Sequence, residues 1–217
     1  MEQLPAPVRP RLRGVLHEYA FYLSLGTGLV VVLLATGVRA TLAAAAYALS
    51  VSCLFGASAL YHRVTWSPSV RSRLRKLDHC MIYVLIAGTY TPICLLVLDD
   101  GLATAVLGIV WGGALVGILV KLVWAGAPRW ASIAVYLTLG WVALLVMPAL
   151  WVRLGVLATV LLLGGGVLYS AGALVYALRR PDPLPAVFGY HEVFHLLVVA
   201  AAVLQYMVIA AFALPSG

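Results

Sequence analysis

Tyr190-His191-Glu192-Val193-Phe194-His195 opens an apolar run that continues to about Leu214. A helical run of this length crosses a hydrocarbon core of roughly 30 Å. His191 and His195 are four apart, so on a helix they stand on one face, at a spacing where two imidazoles can share an ion. Ionisable groups inside a span are costly and generally have a partner or a task. The reading therefore turns on which other residues the fold brings to this pair.

The rest of the chain has the same character. Its 217 residues are 64% hydrophobic and only 10% charged, with a mean hydropathy of +1.06. That composition excludes an ordinary soluble domain. Apolar runs of about twenty residues recur, and because lipid cannot satisfy free backbone groups they read as helices. We read seven spans: Tyr19–Gly37, Ala40–Tyr61, Asp78–Leu98, Gly101–Val120, Trp130–Met147, Leu154–Leu178 and the one that Tyr190 opens. The fold class is all-α, a seven-transmembrane helix bundle. Residues 1–16 form a basic arm before the first anchor, without the apolar core or cleavage site of a signal peptide, and 17–217 form a single membrane domain. Cys53, Cys80 and Cys94 have no paired spacing and read as reduced packing residues.

The net charge of +7 is a matter of placement. Twelve of the fourteen Lys and Arg fall on one side: Arg9, Arg11 and Arg13 in the arm; Arg63, Arg71, Arg73, Arg75 and Lys76 after span two; Lys121 and Arg129 after span four; Arg179 and Arg180 after span six. Arg39 and Arg153 fall on the other. The imbalance puts the N-terminus in the cytoplasm and the C-terminus outside. The basic residues read as topology signals that meet anionic headgroups; the expected partners are membrane lipids, with no nucleic acid.

This topology collects polar residues at one depth. Ser58 and His62 end span two, Asp78 and His79 begin span three, and His191 and His195 begin span seven. If these spans meet, His62, His191 and His195 make a three-imidazole site, the ligand set of a catalytic zinc with one position left open. Zinc lowers the pKa of its water to about 7. His62 alone would read as an interface residue, and Ser58 as a hydroxyl bonded back to its own helix. Together, Ser58 reads as a hydrogen-bonding neighbour of water or substrate, and Asp78 as a proton acceptor or a support for a ligand. His79 points about 100° away from Asp78 and stays outside the ligand set. His17 and Glu18 read as interface residues.

Four stretches carry a resemblance: Ser58-x3-His62; Leu77-Asp78-His79 leading to Ala87-Gly88-Thr89-Tyr90-Thr91-Pro92; Gly165-Gly166-x2-Tyr169-x2-Gly172; and Phe188-Gly189-Tyr190-His191-x3-His195. In order, spacing and membrane placement the chain resembles the hemolysin III family, the bacterial branch of the progestin and adiponectin receptor family. The resemblance implies a seven-helix bundle with its N-terminus inside, in the bacterial inner membrane. It also implies zinc held by His62, His191 and His195, with Asp78 and Ser58 beside it. The wider superfamily includes alkaline ceramidases, which implies zinc-dependent hydrolysis of a lipid amide or ester at the inner leaflet. Two other functions stay open: a sensor of membrane state with structural zinc, and a lytic or pore protein of the hemolysin type.

His191-Glu192-x2-His195 also satisfies H-E-x-x-H, the metalloprotease pattern in which the glutamate is a general base. A third ligand is already at hand in His62, and no later span supplies an aspartate. Glu192 is turned about 100° from His191 and stays a second candidate base. Gly164, Gly165, Gly166 and Gly172 read as points of close helix approach, and Pro92 as a kink in span three.

Overall fold

The computed structural model describes residues 9–124 and 128–216. The first eight residues of the basic arm and the side chain of Arg129 lie outside this description.

The described residues are almost entirely helical, with one isolated bridge between Leu184 and Phe188 and no strand. The helices are α1 (Val15–Leu34), α2 (Gly37–Arg63), α3 (Pro68–Val97), α4 (Asp100–Val123), α5 (Arg129–Gly140), α6 (Met147–Leu178) and α7 (Tyr190–Val208). Among the described residues, six segments are long and apolar enough to cross a membrane. The seventh, Trp130–Leu145, is shorter, because α5 gives way at Trp141 to a 3₁₀ turn over Trp141–Val146. Lipid cannot satisfy the backbone groups such a break frees. Tyr90 does so here: its hydroxyl donates to Gly140 O at 2.7 Å and accepts from Ala143 N–H at 2.6 Å.

Two boundaries differ from those expected by more than a few residues. α3 starts at Pro68, ten residues before Asp78, with Ser67 preceding it and Arg71 N–H donating to Ser67 O. Arg71, Arg73, Arg75 and Lys76 therefore ride on helical turns, where their polarity had suggested a loop. α6 holds a break at Gly155, at φ +79° and ψ 177°, so the expected start at Leu154 marks a bend inside a longer helical segment. That conformation is open essentially to glycine alone. α7 continues through a π turn at Ile209–Ala213 to Ser216. α3 runs on through Pro92 to Val97 as one element.

Each helix packs on its chain neighbours, and α1 closes on α7. α3 is the most buried span and also touches α5 and α6. α6 and α7 meet where a Cβ on Gly165 would stand 2.5 Å from Gln205 Nε2, so the small residue sets the approach. The basic residues gather at one end of this bundle, and at the opposite end Arg39 and Arg153 are ion-paired with Asp100 and Asp99.

Candidate metal centre

At the basic end, the last turn of α2 and the first two turns of α7 face each other across the bundle. His62, His191 and His195 each offer one ring nitrogen, and these atoms lie within 4.8 Å of one another. His62 Nε2 and His191 Nε2 are 3.2 Å apart. His195 is 2% exposed, and its Nδ1 has no hydrogen-bond partner. Buried ring nitrogens rarely go unsatisfied, so the donor set fits a single ion bound by nitrogen. A small closing movement of the rings brings all three within metal–nitrogen reach, about 2 Å for zinc.

Asp78 comes from α3, with Oδ2 3.9 Å from His62 Nε2. Among the described residues it forms no ion pair with Arg75 or Arg71, the arginines one and two turns before it. Ser58 lies one turn before His62, and its hydroxyl couples to the Asp78 carboxyl. Ser50, Thr89 and Thr91 bond back to carbonyls of their own helices. Ser58 instead bonds His17 Nδ1 at 2.8 Å.

His17 was expected at the interface, and the structure places it in the site. It is buried, and its ring stacks on His195 with centroids 3.7 Å apart and planes 9° from parallel. Its Nε2 is the second buried ring nitrogen here without a hydrogen-bond partner. The signal was available in its membrane depth, because the inner end of α1 falls level with the inner ends of α2, α3 and α7. Glu18, on the next position, turns outward to Arg63 at 2.6 Å.

Glu192 is 1% exposed and has both oxygens engaged. Oε1 pairs with Arg13 of the N-terminal arm, and Oε2 accepts the Gly189 N–H at 2.8 Å, capping α7. Both oxygens of the glutamate in the H-E-x-x-H pattern are thus engaged in holding the arm and capping α7. His79 Nδ1 lies against Arg75 O, one turn back along α3, outside the three-imidazole set. The arm is fixed over the site by Arg11 and Leu12, whose N–H groups donate to Ala186 O and Val187 O. Gly14 passes so close to His62 that an added Cβ would meet His62 Cβ at 2.5 Å.

The site lies in the wall of a cavity of about 720 Å³. Arg9, Arg71 and Lys121 line its basic end, and residues such as Ile93, Val146 and Leu162, with Gln205 beside Leu162, line the other. Tyr169 OH and Gln205 Oε1, buried atoms without protein partners, belong to residues of the same lining.

A family model described as haemolysin-III related matches residues 6–206. The chain is 33% identical to Hemolysin-3 of Bacillus cereus over 178 residues, which cover 82% of this chain and 78% of that protein. It is 34% identical to the Hemolysin-3 homolog of Bacillus subtilis over 156 residues, 72% of this chain and 70% of that protein. It is 26% identical to the human monocyte to macrophage differentiation factor over 170 residues, 75% of this chain and 67% of that protein.

Proposed function

The chain belongs to the haemolysin-III-related family and is a multi-pass bacterial membrane protein, and on that premise we propose that it hydrolyses a lipid amide or ester with zinc held by His62, His191 and His195. The observation that carries this reading is the convergence of three imidazoles and one carboxyl, from three helices, on the wall of a cavity that reaches the basic end. A zinc ion bound there supplies a Lewis acid and lowers the pKa of its water to about 7.

The chain's own residues would do the rest. Asp78 would accept the proton of the attacking water and return it to the departing nitrogen or oxygen. With His17 Nδ1 donating to Ser58, the Ser58 hydroxyl is left to donate to Asp78, which orients the carboxyl. His17, stacked on His195, positions that ring as a support behind a ligand does. The apolar depth of the cavity shelters an acyl chain from water, and the cytoplasm is the side we assign to its basic end, by the charge imbalance of the loops.

One observation favours a second reading, in which zinc is structural and the protein senses membrane state. The three ligands come from α2 and α7, which α1 joins by packing on both; an ion held there would strap the two helices together. Release of fatty acid from a panel of acyl amides and esters by the zinc-loaded protein, abolished in Asp78→Asn, supports the hydrolase. Full zinc occupancy with no turnover on the panel supports the strap.

A further inference from the structure

The cationic residues at the basic end are not spread evenly around the bundle. Arg9, Arg13, Arg71, Arg75, Lys76 and Lys121 all line the cavity that holds the three histidines. Arg11, Arg63, Arg73, Arg179 and Arg180 do not. A signal for membrane orientation needs only the correct side of the bilayer, and has no reason to select the lining of one cavity.

Charge pairing follows a different line, because Arg73, Arg179 and Arg180, outside the cavity, also lack a carboxylate partner among the described residues. At the opposite end, Arg39 and Arg153 each have an aspartate. At the basic end, Arg13 and Arg63 are paired with Glu192 and Glu18. Among the described residues, Arg9, Arg71, Arg75, Lys76 and Lys121 have no carboxylate partner. Arg71 lies over the Tyr61 ring, and Lys76 donates to Leu122 O. Burial, with the like charges of Arg71, Arg13 and Arg63, holds the Arg9 guanidinium below the usual arginine range. Cations gathered in this way repel one another, and an anion in their midst relieves the repulsion.

The wall that α3 contributes shows how such an anion would be attached. Arg71, Arg75, Asp78, Ile82, Ile86 and Ile93 follow one another down the cavity. At a rise of about 1.5 Å per residue, Arg71 stands about 10 Å from Asp78 on the basic side, and Ile93 about 22 Å from it on the deep side. The lining passes from cations, through the histidines and Asp78, to mainly apolar side chains, with Tyr169 and Gln205 as polar exceptions. A volume of about 720 Å³ is within the range of pockets that enclose a molecule of drug size, roughly 300–1,000 Å³, which suits one acyl chain.

We propose that the cavity takes a single-chain acyl amphiphile with an anionic, phosphate-type headgroup, the chain in the apolar depth, the carbonyl at the three histidines and the anion at the basic end among Arg71, Arg75 and Lys121. This inference rests on the hydrolase reading and adds the class of substrate. Hydrolysis then adds the oxygen of water to the acyl carbon and breaks the bond to nitrogen or oxygen. The departing atom takes the proton, and the products are a fatty acid and an anionic amine or alcohol.

The test is binding without turnover, on the full chain purified in detergent. Ether-linked probes with one hexadecyl chain keep the tail constant: hexadecylglycerol phosphate, hexadecylglycerol and hexadecylglycerol phosphocholine, with inorganic phosphate as a head without a tail. Quenching of the tryptophans, of which Trp124 and Trp141 line the cavity, follows occupancy. The phosphate monoester should bind about tenfold or more tighter than the other two lipids, as a charge-assisted contact implies. Arg75→Gln and Lys121→Gln should each remove most of that advantage, while Arg73→Gln and Arg180→Gln, with the same loss of charge outside the cavity, should keep it. Thermal unfolding of each variant verifies folding.

Equal binding of the neutral lipid, equal loss in Arg73→Gln, or inorganic phosphate binding as tightly as the lipid would overturn the proposal. Because the probes cannot be cleaved, failure here leaves the hydrolase reading standing. Failure of turnover on a cleavable acyl phosphate lipid, with selective binding retained, overturns the hydrolase reading instead.

Discussion

His17 lies flat against His195, ring on ring at 3.7 Å, while its Nδ1 reaches Ser58 on α2. One side chain of the first helix thus touches a member of the three-imidazole set and the serine beside another. This makes it a positioning residue. His17→Ala should weaken zinc binding about 10- to 100-fold, as removal of a ligand's support does, while saturating zinc still reaches one ion per chain. Competition against a chelator of known affinity gives the shift, and an unchanged affinity would reduce the stacking to packing.

Asp78 should separate chemistry from metal binding. It is 3.9 Å from His62 and outside the imidazole set. Asp78→Asn should lower turnover about 100-fold or more, the contribution of a positioned acid–base group, and leave zinc content near that of the parent. Parallel measurement of metal per chain and fatty-acid release checks both halves.

The Arg13–Glu192 pair should matter for folding and not for catalysis. Glu192 is 1% exposed and Arg13 21%. Removing one partner of a buried pair costs about 3–5 kcal/mol, so Arg13→Ala should lower thermal stability markedly. Adding Glu192→Gln to Arg13→Ala should recover part of the loss, because the amide leaves no buried charge. Glu192→Gln alone should keep turnover within about tenfold of the parent, a smaller loss than a general base would give. A loss of activity as large as that of Asp78→Asn would return Glu192 to the general-base role.

Gly14 and Gly155 form a matched pair. Both have positive φ, +81° and +79°, and alanine at either should cost about 1–3 kcal/mol of backbone strain. An added Cβ meets His62 at Gly14 and nothing within 4 Å at Gly155. Gly14→Ala should therefore also lower zinc affinity, and Gly155→Ala should not. Chelator competition on both proteins distinguishes strain from displacement of His62.

Much of this architecture can be read from the residues alone, since apolar runs long enough to cross a bilayer have to be helical. The common depth of His62, His191 and His195 is legible once the direction of each span is assigned, while their meeting is supplied by the fold. What escapes such a reading depends on partners remote in sequence. The helical turns carrying Arg71 and Arg75 look like a loop, because polarity ends a span even where it does not end a helix. The break after Gly140 is stabilised by Tyr90, fifty residues earlier, and no local signal near Gly140 announces it. Arg13 looks like one more topology charge until α7 brings Glu192 beneath it. His17 was legible by depth, but its ring is assigned to the site only by its contact with His195.

The most direct test is elemental analysis of the purified chain beside its His62→Ala, His191→Ala and His195→Ala variants, each first shown to be folded. One zinc per parent chain, falling to about a tenth or less in every variant, is the predicted result, because three-nitrogen sites lose their ion when a ligand is removed. A parent without zinc after metal-replete expression, or variants that retain it in full, would contradict the account.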